Sequence, residues 1–201
     1  MNPMIFKHLQ SGIAIDDDDF DNIYTKRIKA VSEFHFTPVE VAKIAAQFLV
    51  EKSGAKVLDI GSGAGKFCMI GAVCTNGHFT GVEQRENLYR LSEQLVERFG
   101  LSDIDFIHSN ITQIDFKAFD AVYFFNAFQE NIFRSGSIDD SVLLDKQLYS
   151  LYSTYVKSQL DTMPAGTRLA TYFSFMDEVP DSYKIQFTHF DDKLKLWQKT
   201  V

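Results

Sequence analysis

The segment Asp59-Ile60-Gly61-Ser62-Gly63-Ala64-Gly65 sets a carboxylate beside three closely spaced glycines. Where a strand ends in such glycines and a helix begins, a ligand can approach the main chain without meeting a Cβ, and unpaired backbone N–H groups lie nearby. Three ligand classes use this device, and spacing separates them. A phosphate loop needs glycine five residues before Gly65 and Ser or Thr after Lys66; Ile60 and Phe67 stand there instead. A dinucleotide fingerprint counted from Gly61 and Gly63 finds its third glycine one residue early, at Gly65. What remains is an acidic residue followed by GxGxG. A second carboxylate, Glu83, lies twenty positions beyond Gly63, suited to accept bonds from both hydroxyls of a ribose. Asn126 follows the apolar run Phe119-Asp120-Ala121-Val122-Tyr123-Phe124-Phe125 and offers an amide at the end of another strand.

These residues need strands and helices to hold them. Short apolar runs predict strands at 56–60, 77–83, 104–108, 119–125 and 168–175, and helical periodicity predicts helices at 22–34, 65–73, 85–99 and 141–160. Thr37-Pro38-Val39-Glu40 reads as a capping box opening a helix that runs to about Val50. Strand–helix alternation implies right-handed crossovers and a parallel sheet with helices on both faces. The end differs: runs 183–190 and 193–199 flank Asp191-Asp192 and read as a β-hairpin, and the helix expected before it is reduced to 176–182. The expected fold is α/β, doubly wound, with a mostly parallel seven-stranded sheet that ends in an antiparallel hairpin. A helical extension over residues 1–36 precedes the main domain, 37–201.

The turn Asp59–Gly65 resembles motif I of the class I, Rossmann-like, S-adenosylmethionine-dependent methyltransferases. Glu83, the fourth strand running into Asn126 and the closing hairpin agree with that family, so the resemblance covers roughly residues 37–201. It implies that Gly61, Ser62 and Gly63, with Gly65 closing the turn, pass under the methionine part of S-adenosylmethionine. Asp59 would receive the ammonium, Glu83 would hold the ribose and Gln84 would border the adenine. Asn110 and Ile111 sit where the family often has an acid that bonds the adenine amino group; the side-chain oxygen of Asn110 would take that bond. Asn126-Ala127-Phe128 resembles the Asn-Pro-aromatic motif of amino-group methyltransferases, with Ala in place of Pro. The resemblance therefore implies catalytic roles for Asn126 and Phe128, a nitrogen acceptor, S-adenosylhomocysteine as product and no metal. In similar relatives a segment such as Tyr24, Arg27, His35, Phe36 and Thr37 folds over the cofactor as a lid; the alternative, that Tyr24 and Phe36 only pack a helix onto the sheet, stays open.

Composition narrows the partners. With 20 Lys and Arg against 27 Asp and Glu, the net charge of -7 does not steer the chain toward nucleic acid, which leaves a protein side chain or a small molecule as the favoured acceptor. No apolar stretch approaches the length of a membrane span, and no signal peptide is expected. Cys68 and Cys74, six positions apart on one predicted helix, face different ways and read as reduced thiols of a cytoplasmic protein. Asp16-Asp17-Asp18-Asp19-Phe20-Asp21 lacks the glycine and final Glu of a calcium loop and reads as a solvated acidic loop. Lys66 is expected to face solvent, and His108 to pack at a strand end. Gln129 and Glu130 fit a substrate contact and a solvated loop equally. The acceptor pocket is expected from the N-terminal segment, residues 126–140 and residues 174–182, whose sequences carry no decodable pattern. Two other functions fit the turn: a scaffold that binds the cofactor without transferring methyl, and a nicotinamide-dependent oxidoreductase, which the glycine spacing disfavours.

Overall fold

Apolar runs bounded by turns become strands, and the strands order the molecule. The computed structural model describes residues 4–133 and 137–201. Its strands are β1 (Lys56–Ile60), β2 (His78–Glu83), β3 (Ile104–His108), β4 (Ala121–Phe125), β5 (Arg168–Tyr172), β6 (Tyr183–His189) and β7 (Leu194–Lys199). They form one sheet in the order β3-β2-β1-β4-β5-β7-β6. All pairings through β5 are parallel, while β7 runs antiparallel to both β5 and β6. The expected α/β fold with its closing hairpin is the observed one. Ile60 is in register with Val82 of β2 and Phe124 of β4, so the turns after these three strands open at one level. β1 and β4 leave in opposite directions across the sheet, and that reversal creates a crevice at the carboxyl ends of the strands.

Helices cover both faces. They are α1 (Ile5–Gln10), α2 (Asp17–Asp21), α3 (Lys26–His35), α4 (Val39–Leu49), α5 (Lys66–Cys74), α6 (Glu86–Phe99) and α7 (Lys146–Thr162). One core joins α1 to α6 with one face of the sheet, and Phe6, Phe20, Tyr24 and Phe36 belong to it. The other sets Tyr152, Val156 and Leu160 of α7 against Leu58, Val122 and Trp197. Helix α5 is buried from Lys66 to Gly71, as the apolar sequence of that stretch requires. Its Phe67 ring stacks on Tyr123 at 3.7 Å between centroids.

Several expectations fail, some for local and some for tertiary reasons. The predicted helix 22–34 begins only at Lys26, where the Thr25 hydroxyl accepts from the Ile28 amide at 3.4 Å. The capping box does not form: helix α4 has no side-chain cap of its own, Asp17 Oδ1 accepts from the Val39 amide at 2.9 Å, and Thr37 shares a hydrogen bond of 2.9 Å with the buried Tyr123 hydroxyl. The acidic run keeps Asp16, Asp18 and Asp19 exposed, as expected, but it is not a loop. It forms α2, capped by Asp16, and buries Asp21. Nor does Lys66 face solvent: its side chain is 3% exposed, and Nζ lies 2.7 Å from both Asp17 Oδ1 and Asp21 Oδ1. A buried ammonium needs such partners, and these carboxylates supply them. The predicted strand 168–175 stops at Tyr172, because Phe173 adopts φ 50°. Helix α7 starts at Lys146 rather than 141, behind an Asp145 cap.

Candidate functional site

The turn after β1 is built from positive-φ backbone. Gly61 adopts φ 72° and Gly63 φ 56°, and each is closely covered. A Cβ on Gly61 would stand 2.6 Å from Ala127 Cβ, and one on Gly63 2.9 Å from the Phe36 ring. Ala127 therefore suits its place because a larger residue would collide with the turn. Gly65 points the other way, against Phe106 and Ser92.

The amides of this turn are spent inside the protein. Gly61 and Ser62 donate to the Val82 carbonyl at 2.9 and 3.0 Å, and Gly65 donates to the Ser62 carbonyl at 2.9 Å. Gly63 donates to Glu83 Oε2 at 2.9 Å. The expectation that the turn offers free N–H groups is thus not met at these four positions. What it presents instead is negative. Glu83 is 5% exposed, and its Oε1 accepts from the Arg85 amide at 2.7 Å. Burial pushes its carboxyl up, and the bonds from Arg85 and Gly63 pull it partly back. Asp59 is also buried, and the Cys68 thiol donates to its Oδ2 at 3.3 Å. Burial raises the Asp59 carboxyl to about 7, with the thiol bond opposing and the Glu83 charge reinforcing that rise.

A cavity of about 530 Å³ opens over the ends of β1, β2 and β4, a size that suits a small-molecule site. Gly61, Gly63, Glu83, Gln84, Asn110, Ile111, Asn126 and Phe128 all line it. Asp59 and Ser62 line a narrower adjoining crevice, shared with His35 and Phe36. The Ser62 hydroxyl is buried against Gly81, where a Cβ would stand 2.6 Å from its Oγ, without a partner inside the protein. Gly65 lines neither space.

Asn110 is committed elsewhere. Its Oδ1 accepts from both the amide and the hydroxyl of Thr112, at 3.0 and 2.9 Å, and its Nδ2 donates to the Tyr152 hydroxyl at 2.8 Å. Both lone pairs of the oxygen are used, so it is not set to accept from an adenine amino group. Asn126 sits at φ 43°, which Asn tolerates better than most residues. Its Nδ2 donates to Gln129 Oε1, leaving Oδ1 as the acceptor of the side chain. Phe128 is 6% exposed and packs between Phe124 and Tyr152, so it forms wall more than contact surface.

The N-terminal segment contributes wall as well: Val31, Phe34, His35 and Phe36 line the cavity. Tyr24 does not, and packs edge-on to Phe36. Arg27 lines neither space either. Residues 174–182 also stay outside the lining, and residues 134–136 of the expected acceptor loop lie outside the described residues. His108 stacks on Tyr89 at the end of β3. Gln129 and Glu130 line the cavity, and Glu130 forms an ion pair of 2.8 Å with Arg85. Nothing local marks the roles of Arg85, Tyr152 or Lys66, because each acquires its partners from segments distant in the chain. Among the described residues no group of His, Cys, Asp and Glu could hold a metal, and no helix is long and apolar enough to cross a membrane.

A seven-stranded sheet of this order, with a glycine turn and a spaced carboxylate at its switch point, defines the class I methyltransferase fold. The chain belongs to that S-adenosylmethionine-dependent family: the family model described as "Methyltransferase domain" matches residues 51–191. No curated protein matches the chain. Solved structures match in fold. An RNA methyltransferase from Salinibacter ruber, in complex with S-adenosyl-L-homocysteine, is 16% identical with a TM-score of 0.55, covering 82% of this chain and 92% of that one. A SAM-dependent methyltransferase from Aquifex aeolicus is 15% identical at TM-score 0.54, covering 94% and 100%. TrmN from Thermus thermophilus is 14% identical at TM-score 0.57, covering 88% of this chain. The chain spans 53% of TrmN and 44% of another similar structure, the cyclase SpnF.

Proposed function

We propose that this protein transfers a methyl group from S-adenosylmethionine to a nitrogen of a small molecule or protein side chain. One observation carries the cofactor reading: the glycine turn spends its amides internally and leaves Asp59 and Glu83 facing the binding space. Such a turn repels a pyrophosphate and suits a ligand that carries an ammonium and a sulfonium. The residues also fit the group in detail. Asp59, at the narrow crevice beside the cavity, would attract the ammonium, and Glu83 has lone pairs left for the ribose hydroxyls. Gln84 would border the adenine, in place of the committed Asn110.

S-adenosylmethionine supplies an electrophilic methyl for in-line displacement; the chain aligns the acceptor and excludes water. Asn126 Oδ1 would accept a hydrogen from the target nitrogen and turn its lone pair toward the methyl. Phe34 and Phe36, from the N-terminal segment, would cover the cofactor as a lid. The acceptor reading rests on charge. Among the described residues lining the larger cavity Arg85 is the sole Lys or Arg, and Glu130 and Asp139 occupy it, while Lys66 at the adjoining crevice is held by Asp17 and Asp21. A phosphate-bearing acceptor finds no free cation in that wall.

Calorimetry with S-adenosylhomocysteine and NAD tests the cofactor, and NAD binding alone would overturn it. Radiolabelled methyl transfer into a size-fractionated extract tests the acceptor; label confined to RNA would refute the acceptor reading. Asn126→Ala should lower turnover by on the order of 100-fold, the cost of losing acceptor orientation, with S-adenosylhomocysteine binding intact. Unchanged turnover would remove Asn126 from the mechanism.

A further inference from the structure

Arg85 begins α6 two residues after Glu83 and works in two directions. Its amide donates to Glu83 Oε1 at 2.7 Å, at the end of the site assigned to the ribose. Its guanidinium, 5% exposed, reaches across the crevice to the connection between β4 and α7, donating from Nη2 to Glu130 Oε2 at 2.8 Å and from Nε to Asp139 Oδ1 at 3.1 Å. Both carboxylates are themselves oriented. Glu130 Oε1 accepts from the Ile138 amide at 2.6 Å, and Asp139 Oδ2 accepts from Asn87 Nδ2 at 2.9 Å.

The connection these contacts hold is long. Between Phe125 and Lys146 its regular structure among the described residues is one 3-10 turn, Gln129–Asn131. A connection of that length keeps a defined shape only through specific contacts. At its base Asn131, 3% exposed, donates to the Phe128 carbonyl at 3.1 Å and accepts from the Asp145 amide at 3.1 Å. Nearer the cavity the work falls to Arg85: it holds Glu130, which lines the cavity and accepts from the Ile138 amide, and Asp139, which adjoins the lining residues Ser137 and Ile138.

We propose that Arg85 is a positioning residue for the methyl acceptor: it locks the wall formed by Glu130 and residues 137–139 to the carboxyl end of β2, so that cofactor and acceptor are registered to one another. This rests on the methyltransferase reading above. A planar guanidinium can serve two carboxylates lying in different directions, and an ammonium cannot reproduce that fork. Stability alone is a poor reason for the arrangement, since apolar replacement of a buried ion pair is often neutral or favourable.

The test uses the full chain, with Arg85→Met and Arg85→Lys. Three quantities are measured: S-adenosylhomocysteine affinity, amide hydrogen exchange at 129–133 and 137–141, and radiolabelled methyl transfer into serial dilutions of the acceptor-bearing extract fraction. In Arg85→Met, exchange in both segments should rise on the order of tenfold, with cofactor affinity within about threefold of wild type. Transfer should fall most at high dilution, as expected for a raised KM for the acceptor. Arg85→Lys should recover little of this. Wild-type exchange and transfer in Arg85→Met, or full rescue by lysine, would overturn the proposal. Should Arg85→Met not fold, Glu130→Gln reads the same segments, and unchanged exchange and transfer there would overturn it equally. Failure of the wild-type protein to bind S-adenosylhomocysteine would sink the cofactor reading instead, and the exchange comparison would still decide whether Arg85 holds the wall.

Discussion

Lowering the pH from 8 to 5.5 should weaken S-adenosylhomocysteine binding about 30-fold, and the origin is one carboxyl group. Asp59 is buried at the end of β1, and burial raises its carboxyl to about 7. Above that value it is an anion and can hold the ligand ammonium; below it the group is neutral. At pH 5.5 only about 3% of such a group is ionised, so in the limit where the neutral form contributes nothing the loss is about 2 kcal/mol. The folded state without ligand behaves in the opposite sense. A carboxyl raised from an unfolded value of 3.8 favours the protonated form, so its contribution to stability is whole below about pH 4 and falls as pH rises toward 7. Binding should therefore strengthen across the window in which the free protein loses stability. Glu83, also raised by burial, adds to the slope in the same direction, while Cys68, raised well above its ordinary range, stays neutral. Calorimetry between pH 5.5 and 8.5 is the assay. Asp59→Asn should bind weakly with a flatter profile. A flat wild-type profile, or an Asp59→Asn profile identical to it, would refute the assignment of Asp59 to the ammonium.

Three further outcomes are expected. Lys66→Met leaves Asp17 and Asp21 without their shared cation, so urea unfolding should show a loss of roughly 3–5 kcal/mol; a change below 1 kcal/mol would mean the cluster is relaxed by water. Gly63→Ala forces a Cβ 2.9 Å from the Phe36 ring at φ 56°, and should cost about 1–2 kcal/mol together with weaker S-adenosylhomocysteine binding; wild-type values in both would show that the ring yields freely. Tyr123→Phe strips Thr37 of its buried partner and should cost about 1–2 kcal/mol in the same assay, with cofactor binding little changed.

Much of the fold was legible because apolar period and turn chemistry are local. β1 and β3 fall where their apolar runs put them, and the hairpin follows from two runs around Asp191-Asp192. The glycine turn, Glu83 and Asn126 were legible because spacing along strands of one sheet becomes proximity at their shared end. Failures arose where a residue's partner is remote. Thr37 carries every local mark of a helix cap, yet its hydroxyl goes to Tyr123 and its cap role to Asp17. Asp17 and Asp21 look solvated until a buried lysine is placed beside them, and Lys66 looks solvated until the aspartates are. Asn110 looked able to accept a ligand hydrogen until Thr112 claimed its oxygen. Arg85 offered nothing at all, since positions 130 and 139 carry no mark of pairing with it.

The strand order sets a schedule for folding. Chain order is β5, β6, β7, but β7 lies between the other two. Until residues 194–199 pair, β5 exposes an open edge with nothing to pair against, and β6 has no neighbour in the sheet. A bare parallel edge is a template for pairing with other chains. Insertion of β7 between β5 and β6, not collapse of the glycine-turn half, is thus the step that closes this edge and completes the sheet.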